Sequence, residues 1–234
     1  MSFVSHNKEL NDKGYTIIHN IFSEEEVSAI NKAISELDVS GTSFRRTNDL
    51  FAIRRFLKEA PSIRSMIFNN RLNELINTLF GKDYFVIRSI YFDKPAQSNW
   101  FVSYHQDLTI SVNKKIEMDG YNHWTVKQGQ FAVQPPLEIL KSIFTIRIHL
   151  DETDKMNGAL KVIPGSHLKG IHNVDLEKEK SEICEVAKGG VMLMKPLLLH
   201  SSGRSSNERR RRVVHIEFCN THLPAGLEWS EFHD

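Results

Sequence analysis

Three side chains in this sequence have the types and spacing to hold a redox-active metal ion. His105 and Asp107 stand in the run YHQDL, and His200 in LLLHSSG. Neutral imidazole nitrogens and a carboxylate oxygen suit iron(II), and two histidines with one carboxylate occupy a single face of the ion. The opposite positions stay open for a bidentate 2-oxo acid and for dioxygen, which is what oxygen activation requires. A structural zinc site would be closed by four ligands, often thiolates. The two cysteines, Cys184 and Cys219, do not flank these motifs in that way.

Two rival motifs have a similar form: His149-Leu150-Asp151, and His215-Ile216-Glu217. Residues two apart on a strand point to one side, so any of these pairs can present two ligands together. Chain order separates them. A double-stranded β-helix brings its first strand beside its seventh or eighth, so the pair must precede several strands and the distal histidine must follow them. His200 follows His105 by 95 positions, with at least four strand candidates between them. His149 sits in a middle strand and His215 lies beyond the distal histidine, which leaves the 105/107 pair.

Eleven residues past His200 comes Arg211, inside the run RRRR (209–212). A guanidinium can bind a carboxylate through two parallel hydrogen bonds and stays charged. Arg211 could therefore anchor the far carboxylate of 2-oxoglutarate while its 2-oxo acid end chelates iron. Strand alternation puts Arg209 and Arg211 on one face and Arg210 and Arg212 on the other. Counting forward from His200 and back from Phe218 favours Arg211, and the other three read as a solvated basic edge. Arg147 shares a strand face with Thr145 and His149; it is either a second anion contact or an ordinary salt-bridge partner. Lys94, just ahead of the iron motif, is a weaker candidate of the same kind.

These residues need elements to position them. From about Tyr84 the chain reads as short strands: 84–92, 142–150, 159–163, 182–186, 190–196 and 212–218, separated by turn material such as Asn157-Gly158 and Pro164-Gly165. Many short strands without long intervening helices predict a closed or double-layered antiparallel core, a jelly roll of cupin-like type. The first third predicts helices with one early strand, 14–21. Ser23 opens a capping box with Glu26, and Val27, Ile30, Ile34 and Leu37 follow at helical spacing. A second helical pattern covers 61–80 and ends at Gly81. Segment 134–140 predicts a short helix or turn. The organisation expected is one oxygenase domain over 1–234, with a mainly helical support layer (1–83), a double-stranded β-helix core (84–220) and a tail (221–234).

Segment 118–136 reads as an insertion between the H-x-D pair and the central strands. Long connections at a barrel mouth often cover substrate. Its Tyr121, Trp124, Phe131 and Gln134 could line such a site, although closing the barrel end is the simpler role for each. His167, in PGSH (164–167), reads as part of a structural turn.

With 234 residues, 40% of them hydrophobic, the chain can bury one sizeable core. Its 30 basic and 29 acidic residues give no global electrostatic reason to expect nucleic acid or an anionic membrane. No apolar run predicts a signal peptide or a membrane span, and two cysteines imply no disulfide framework. The expectation is a protein of a reducing compartment, the cytoplasm, acting on a small molecule.

Over most of its length the chain resembles the phytanoyl-CoA dioxygenase family of iron(II)/2-oxoglutarate oxygenases. The resemblance is carried by 14–30, by HQD within 88–112, by N-G-x-L-x-x-x-P-G-S-H within 146–167, and by H-x-S with an arginine 11 residues on, within 200–218. It implies iron at His105, Asp107 and His200, cosubstrate contact at Arg211, and Ser202 as hydrogen-bond partner of the same carboxylate. It also implies dioxygen as the second cosubstrate and hydroxylation as the outcome, because related halogenases lack the carboxylate that Asp107 provides. Two other readings remain: a cupin-like metal enzyme that does not use 2-oxoglutarate, and a non-catalytic binding protein on the same barrel.

Overall fold

The structure is a computed structural model that describes residues 3–38, 43–47, 49, 51–127, 129–171 and 175–232. Its opening elements are α1 (Val4–Lys13), β1 (Tyr15–Ile18) and α2 (Glu24–Ser35). The strands β2 (Phe44–Arg46) and β3 (Phe51–Arg54) follow, then the helices α3 (Phe56–Glu59), α4 (Arg64–Ile67) and α5 (Asn70–Phe80). The barrel half contains β4 (Phe85–Lys94), β5 (Val102–His105), β6 (Ile110–Val112), β7 (Asn122–Lys127) and β8 (Gln130–Gln134). After α6 (Leu137–Lys141) come β9 (Phe144–His149), β10 (Leu160–Val162), β11 (Glu182–Cys184), β12 (Val191–Met194), β13 (His200–Ser202) and β14 (Arg211–Cys219).

The strands pair antiparallel throughout the described residues. A large sheet runs β1-β12-β9-β14-β4-β3-β2, a smaller one β11-β10-β13-β5, and β6-β8-β7 form a third. This is the double-stranded β-helix expected from the sequence. The large sheet divides its residues by alternation. In β9 every residue is buried, yet the sequence F-T-I-R-I-H alternates apolar and polar. Phe144, Ile146 and Ile148 join the core formed with α2 and α5, where Val27, Ile30, Leu72 and Leu75 are fully buried. Thr145, Arg147 and His149 therefore turn to the opposite face, toward the small sheet. β14 does the same: Val214, Ile216 and Phe218 pack into that core, while Arg211, His215 and Glu217 are buried on the other side.

The capping box at α2 is formed: the Glu26 amide donates to Ser23 Oγ at 3.2 Å, and the Ser23 amide donates to Glu26 Oε2 at 2.7 Å. The pattern over 61–80 is not one helix. It breaks at Asn69, which takes an extended backbone and accepts the Leu72 amide at 2.8 Å to cap α5. The first third is also less helical than expected. Besides the expected early strand, β1, which pairs β12, it supplies β2 and β3 to the large sheet, because β4 presents an edge with which β3 pairs. The helix α1 buries only Leu10, so its apolar periodicity is too weak to mark it.

Segment 118–136 forms the β7–β8 hairpin, with β8 also pairing β6. The last described residues fold back onto the barrel: Leu227 and Trp229 are buried, Trp229 bridges Val112, and Glu231 accepts the Ser89 amide at 2.7 Å. Among the described residues no helix is long and apolar enough to cross a membrane.

Leu75→Ala should lower stability by about 2–5 kcal/mol, because a fully buried side chain leaves a cavity at the helix–sheet contact. Ser23→Ala should cost only about 1 kcal/mol through loss of the cap. Denaturant midpoints at unchanged slope measure both, and an equal loss for the two would contradict this division of the core.

Candidate metal centre

The short pairing of β13 with β5 sets His200 directly opposite His105. Their ring centroids are 4.2 Å apart. Each ring lies 2.8 Å from a backbone carbonyl two residues earlier, His105 Nδ1 from Ser103 O and His200 Nδ1 from Leu198 O. A carbonyl can only accept, so both Nδ1 atoms carry hydrogen and both Nε2 lone pairs are free for a ligand. Both Nε2 atoms face Asp107, each 3.8 Å from one of its carboxylate oxygens.

β5 ends at His105, and two residues on the Asp107 amide donates to Pro196 O at 2.9 Å. Gln106 points away from the cluster and donates to the carbonyls of Gly170 and Leu197. The result is three ligand atoms within 4.8 Å of one another.

These residues fit a divalent ion. Asp107 Oδ2 is buried with no hydrogen-bond partner, an arrangement that is costly unless a cation meets it. Burial pushes His200 down to about 4, which keeps the imidazole in its ligand form. Burial opposes ionisation of Asp107, but His200, His215, His105 and Arg88 outweigh it and hold the carboxyl below its usual range. His200 is buried, whereas the His105 side chain is 39% exposed, so the cluster opens on the His105 side.

The cluster sits in a cavity of about 240 Å³ between the two sheets. Arg211 enters it from the start of β14. It is buried, donates to Gly158 O, and places both Nη atoms 3.4 Å from Ser202 Oγ; its Nε has no partner. Burial and then the charge of Arg147 pull its pKa down to about 9. Gly158 has φ of +81°, and a Cβ there would stand 2.5 Å from Gly203 O, so the turn beside Arg211 requires glycine. The other three arginines of the run are spent on carboxylates: Arg209 on Glu152 and Asp154, Arg210 on Asp93, and Arg212 on Asp151.

Arg147 is buried and makes no ion pair among the described residues. Its Nη1 lies 3.0 Å from His215 Nδ1, and its Nε is unpartnered. Arginine can only donate, so His215 Nδ1 accepts and its Nε2 carries the hydrogen, facing Glu217 Oε1 at 3.1 Å. Glu217 in turn is held by Arg88 at 2.9 Å. Lys94 is fully buried, donates to Gly203 O at 2.6 Å, and is pulled down to about 7 by burial and by Arg211.

Several other expectations find their places. The rival pair separates: His149 Nδ1 contacts Thr153 Oγ1, and Asp151 pairs with Arg212. His167 Nε2 lies 3.0 Å from Asn11 O, a structural tie. Tyr121, Trp124 and Phe131 pack in the second apolar cluster, closing the barrel end, and Gln134 does not line the cavity. Arg88, Phe92 and Trp100, which also line the cavity, lie outside the residues that the motifs single out, and His215 and Glu217 enter it as a hydrogen-bonded pair held by Arg88 and not as metal ligands of the rival motif. The period-two pattern of β4 is the signal that points to Arg88 and Phe92; no such signal marks Trp100.

The family model for phytanoyl-CoA dioxygenase (PhyH) matches residues 10–213. A probable alpha-ketoglutarate-dependent hypophosphite dioxygenase of Stutzerimonas stutzeri is 23% identical over 93% of this chain and 78% of its own length. Among solved structures, EctD from S. alaskensis, in a crystal with 2-oxoglutarate and 5-hydroxyectoine, superposes with a TM-score of 0.69 at 18% identity, covering 92% of this chain and 75% of that one. The carbocyclase SnoK of nogalamycin biosynthesis gives a TM-score of 0.67 at 16% identity, covering 92% and 83%. At such identities the solved structures share the fold, and the family match carries the assignment: the chain belongs to the phytanoyl-CoA dioxygenase family and is an iron- and 2-oxoglutarate-dependent dioxygenase.

Proposed function

We propose that His105, Asp107 and His200 hold iron(II), that Arg211 and Ser202 take the far carboxylate of 2-oxoglutarate, and that Arg147 is a second anion contact in the cavity. The reaction is hydroxylation of a small organic molecule or acyl derivative, with one oxygen atom of dioxygen going to the product and the other to succinate as carbon dioxide is released. The observation that carries this reading is the convergence of two imidazole Nε2 atoms and an unpartnered carboxylate oxygen within 4.8 Å, beside a buried arginine that has no carboxylate partner among the described residues.

When bound, iron and 2-oxoglutarate supply the oxidising power for attack on an unactivated bond. The chain's residues supply orientation and exclusion of water. The hydroxyl of the H-x-S motif is that of Ser202, whose Oγ faces both Arg211 Nη atoms. Carbonyls of Ser103 and Leu198 fix the two ligand rings in one tautomer and one orientation. Asp107 fills the position that a halide would need, which favours hydroxylation. Phe92, Trp100, Val102 and Leu160 provide apolar wall around the charged groups. A cupin-like enzyme without 2-oxoglutarate would leave Arg211 buried with no anion to receive, so it accounts for less of the site. Both cysteines are free and buried, in keeping with a reducing compartment such as the cytoplasm.

The purified protein with iron(II), 2-oxoglutarate and dioxygen should form succinate, and omission of iron should stop it. Arg211→Ala should weaken 2-oxoglutarate binding roughly 30-fold or more, the equivalent of about 2 kcal/mol for a truncated buried charge partner, while iron is retained. His105→Ala should lose iron retention, read by metal analysis after desalting. The reverse pattern would contradict the assignment.

A further inference from the structure

Resting on the iron and 2-oxoglutarate reading above, we propose that the substrate is a compact oxyanion, a carboxylate or phosphonate of few heavy atoms, seated against the guanidinium of Arg147. The first argument is charge balance. Buried charges persist when they are paired. Of the two carboxylates lining the cavity, Asp107 belongs to the metal cluster and Glu217 is already held by Arg88 at 2.9 Å and faces His215 at 3.1 Å. Among the described residues Arg147 and Arg211 have only neutral partners, a histidine nitrogen, a backbone carbonyl and a hydroxyl. The two guanidiniums contribute two positive charges, and a divalent ion with one carboxylate contributes one more. The cosubstrate is a dianion, so one positive charge remains unmatched. Lys94, whose hydrogen-bond acceptor is the neutral Gly203 O, can only increase that excess.

The second argument is position. Ser202 sits on the Nη atoms of Arg211, so the far carboxylate of the cosubstrate has its seat there. Arg147 lies on a different strand, β9, fixed through His215 and Glu217, with an Nε that nothing else engages. The third argument is surroundings and size. A neighbouring hollow of about 150 Å³ shares Arg88 and Ile90 with the cavity and is lined by Arg54, Arg55 and Lys127, with Glu231 as its carboxylate. Arg54 stands opposite Ile90 in the β3–β4 pairing and, among the described residues, has no carboxylate partner. The cations of this lining outnumber its carboxylate, a charge excess that favours anions nearby. At about 240 Å³ the cavity lies below the roughly 300–1,000 Å³ of pockets for drug-sized ligands, and the cosubstrate occupies part of it.

The test uses the protein loaded anaerobically with iron(II) and saturating 2-oxoglutarate, whose visible charge-transfer band reports an intact site. Acetate, methylphosphonate, acetamide and methylammonium are titrated, and heat of binding is read by calorimetry alongside the band. The two anions should bind saturably and shift the band without abolishing it, and acetamide and methylammonium should do neither. Arg147→Gln should weaken anion binding by about tenfold or more while 2-oxoglutarate affinity is kept, and Arg147→Lys should restore part of the loss. Equal binding of acetamide and acetate would overturn the proposal, and so would loss of 2-oxoglutarate affinity in Arg147→Gln with anion binding intact. Bleaching of the band by acetate would place the anion at Arg211 and overturn the assignment to Arg147. If no band forms at all, the iron and 2-oxoglutarate reading itself fails and takes this one with it. Should Arg147→Gln not fold, the charge series on the unaltered protein and the lysine variant decide.

Discussion

The structure depends on one short strand pairing. β13 and β5 meet over only a few residues, with an irregular register between His200 and Ser202, yet that contact is what sets His105 opposite His200. Side chains directly opposite in an antiparallel pair share a face and stand close together. The two imidazoles therefore reach one ion only if the first strand of the small sheet and the one after the long excursion through β9 to β12 come to lie side by side. The closed, antiparallel β-helix produces that neighbourhood, and the helices serve it by covering the outer face of the large sheet.

A second constraint is that the cavity is built from charge. Strands buried on both faces ordinarily read as continuous apolar runs, but β9 and β14 alternate apolar and charged residues. One face packs against helices; the other carries Arg147, Arg211, His215 and Glu217 into the interior. Leaving a guanidinium in such a place without an anion costs several kcal/mol per ion. The cavity lowers this cost in part through neutral acceptors, Gly158 O, Ser202 Oγ and His215 Nδ1, and an anion bound there would lower it further. The hydrogen-bond chain Arg88–Glu217–His215–Arg147 also locks the tautomer of its histidine, so the direction in which Arg147 can donate is set before anything binds.

The arginine run shows how burial sorts identical residues. Four consecutive arginines alternate across β14 and the loop before it, and three find carboxylates: Glu152 and Asp154, Asp93, and Asp151. The fourth, Arg211, is the one whose face turns inward. Its neighbour Gly158 must be glycine because the turn brings its Cα against Gly203 O. A local backbone requirement and a long-range charge are thus coupled at one spot.

Residue types and order along the chain were enough to single out His105, Asp107 and His200 as candidates that the fold brings within 4.8 Å, and to give the antiparallel double-layered core, the capped helix α2 and the preference for Arg211 within its run. Each of these follows from local periodicity or from the coordination chemistry of imidazole and carboxylate. What the sequence could not carry was set by contacts between distant segments. The break at Asn69, the strands β2 and β3, and the return of 221–232 onto the barrel depend on edges and surfaces that exist only once the sheet has formed. The same holds inside the cavity. Asp107, past the end of β5, is tied by its amide to the distant Pro196, and the roles of Arg88, His215 and Glu217 emerge only when β4, β9 and β14 lie side by side. Periodicity fixes which way a side chain faces; the pairing of strands far apart in sequence decides what it meets there.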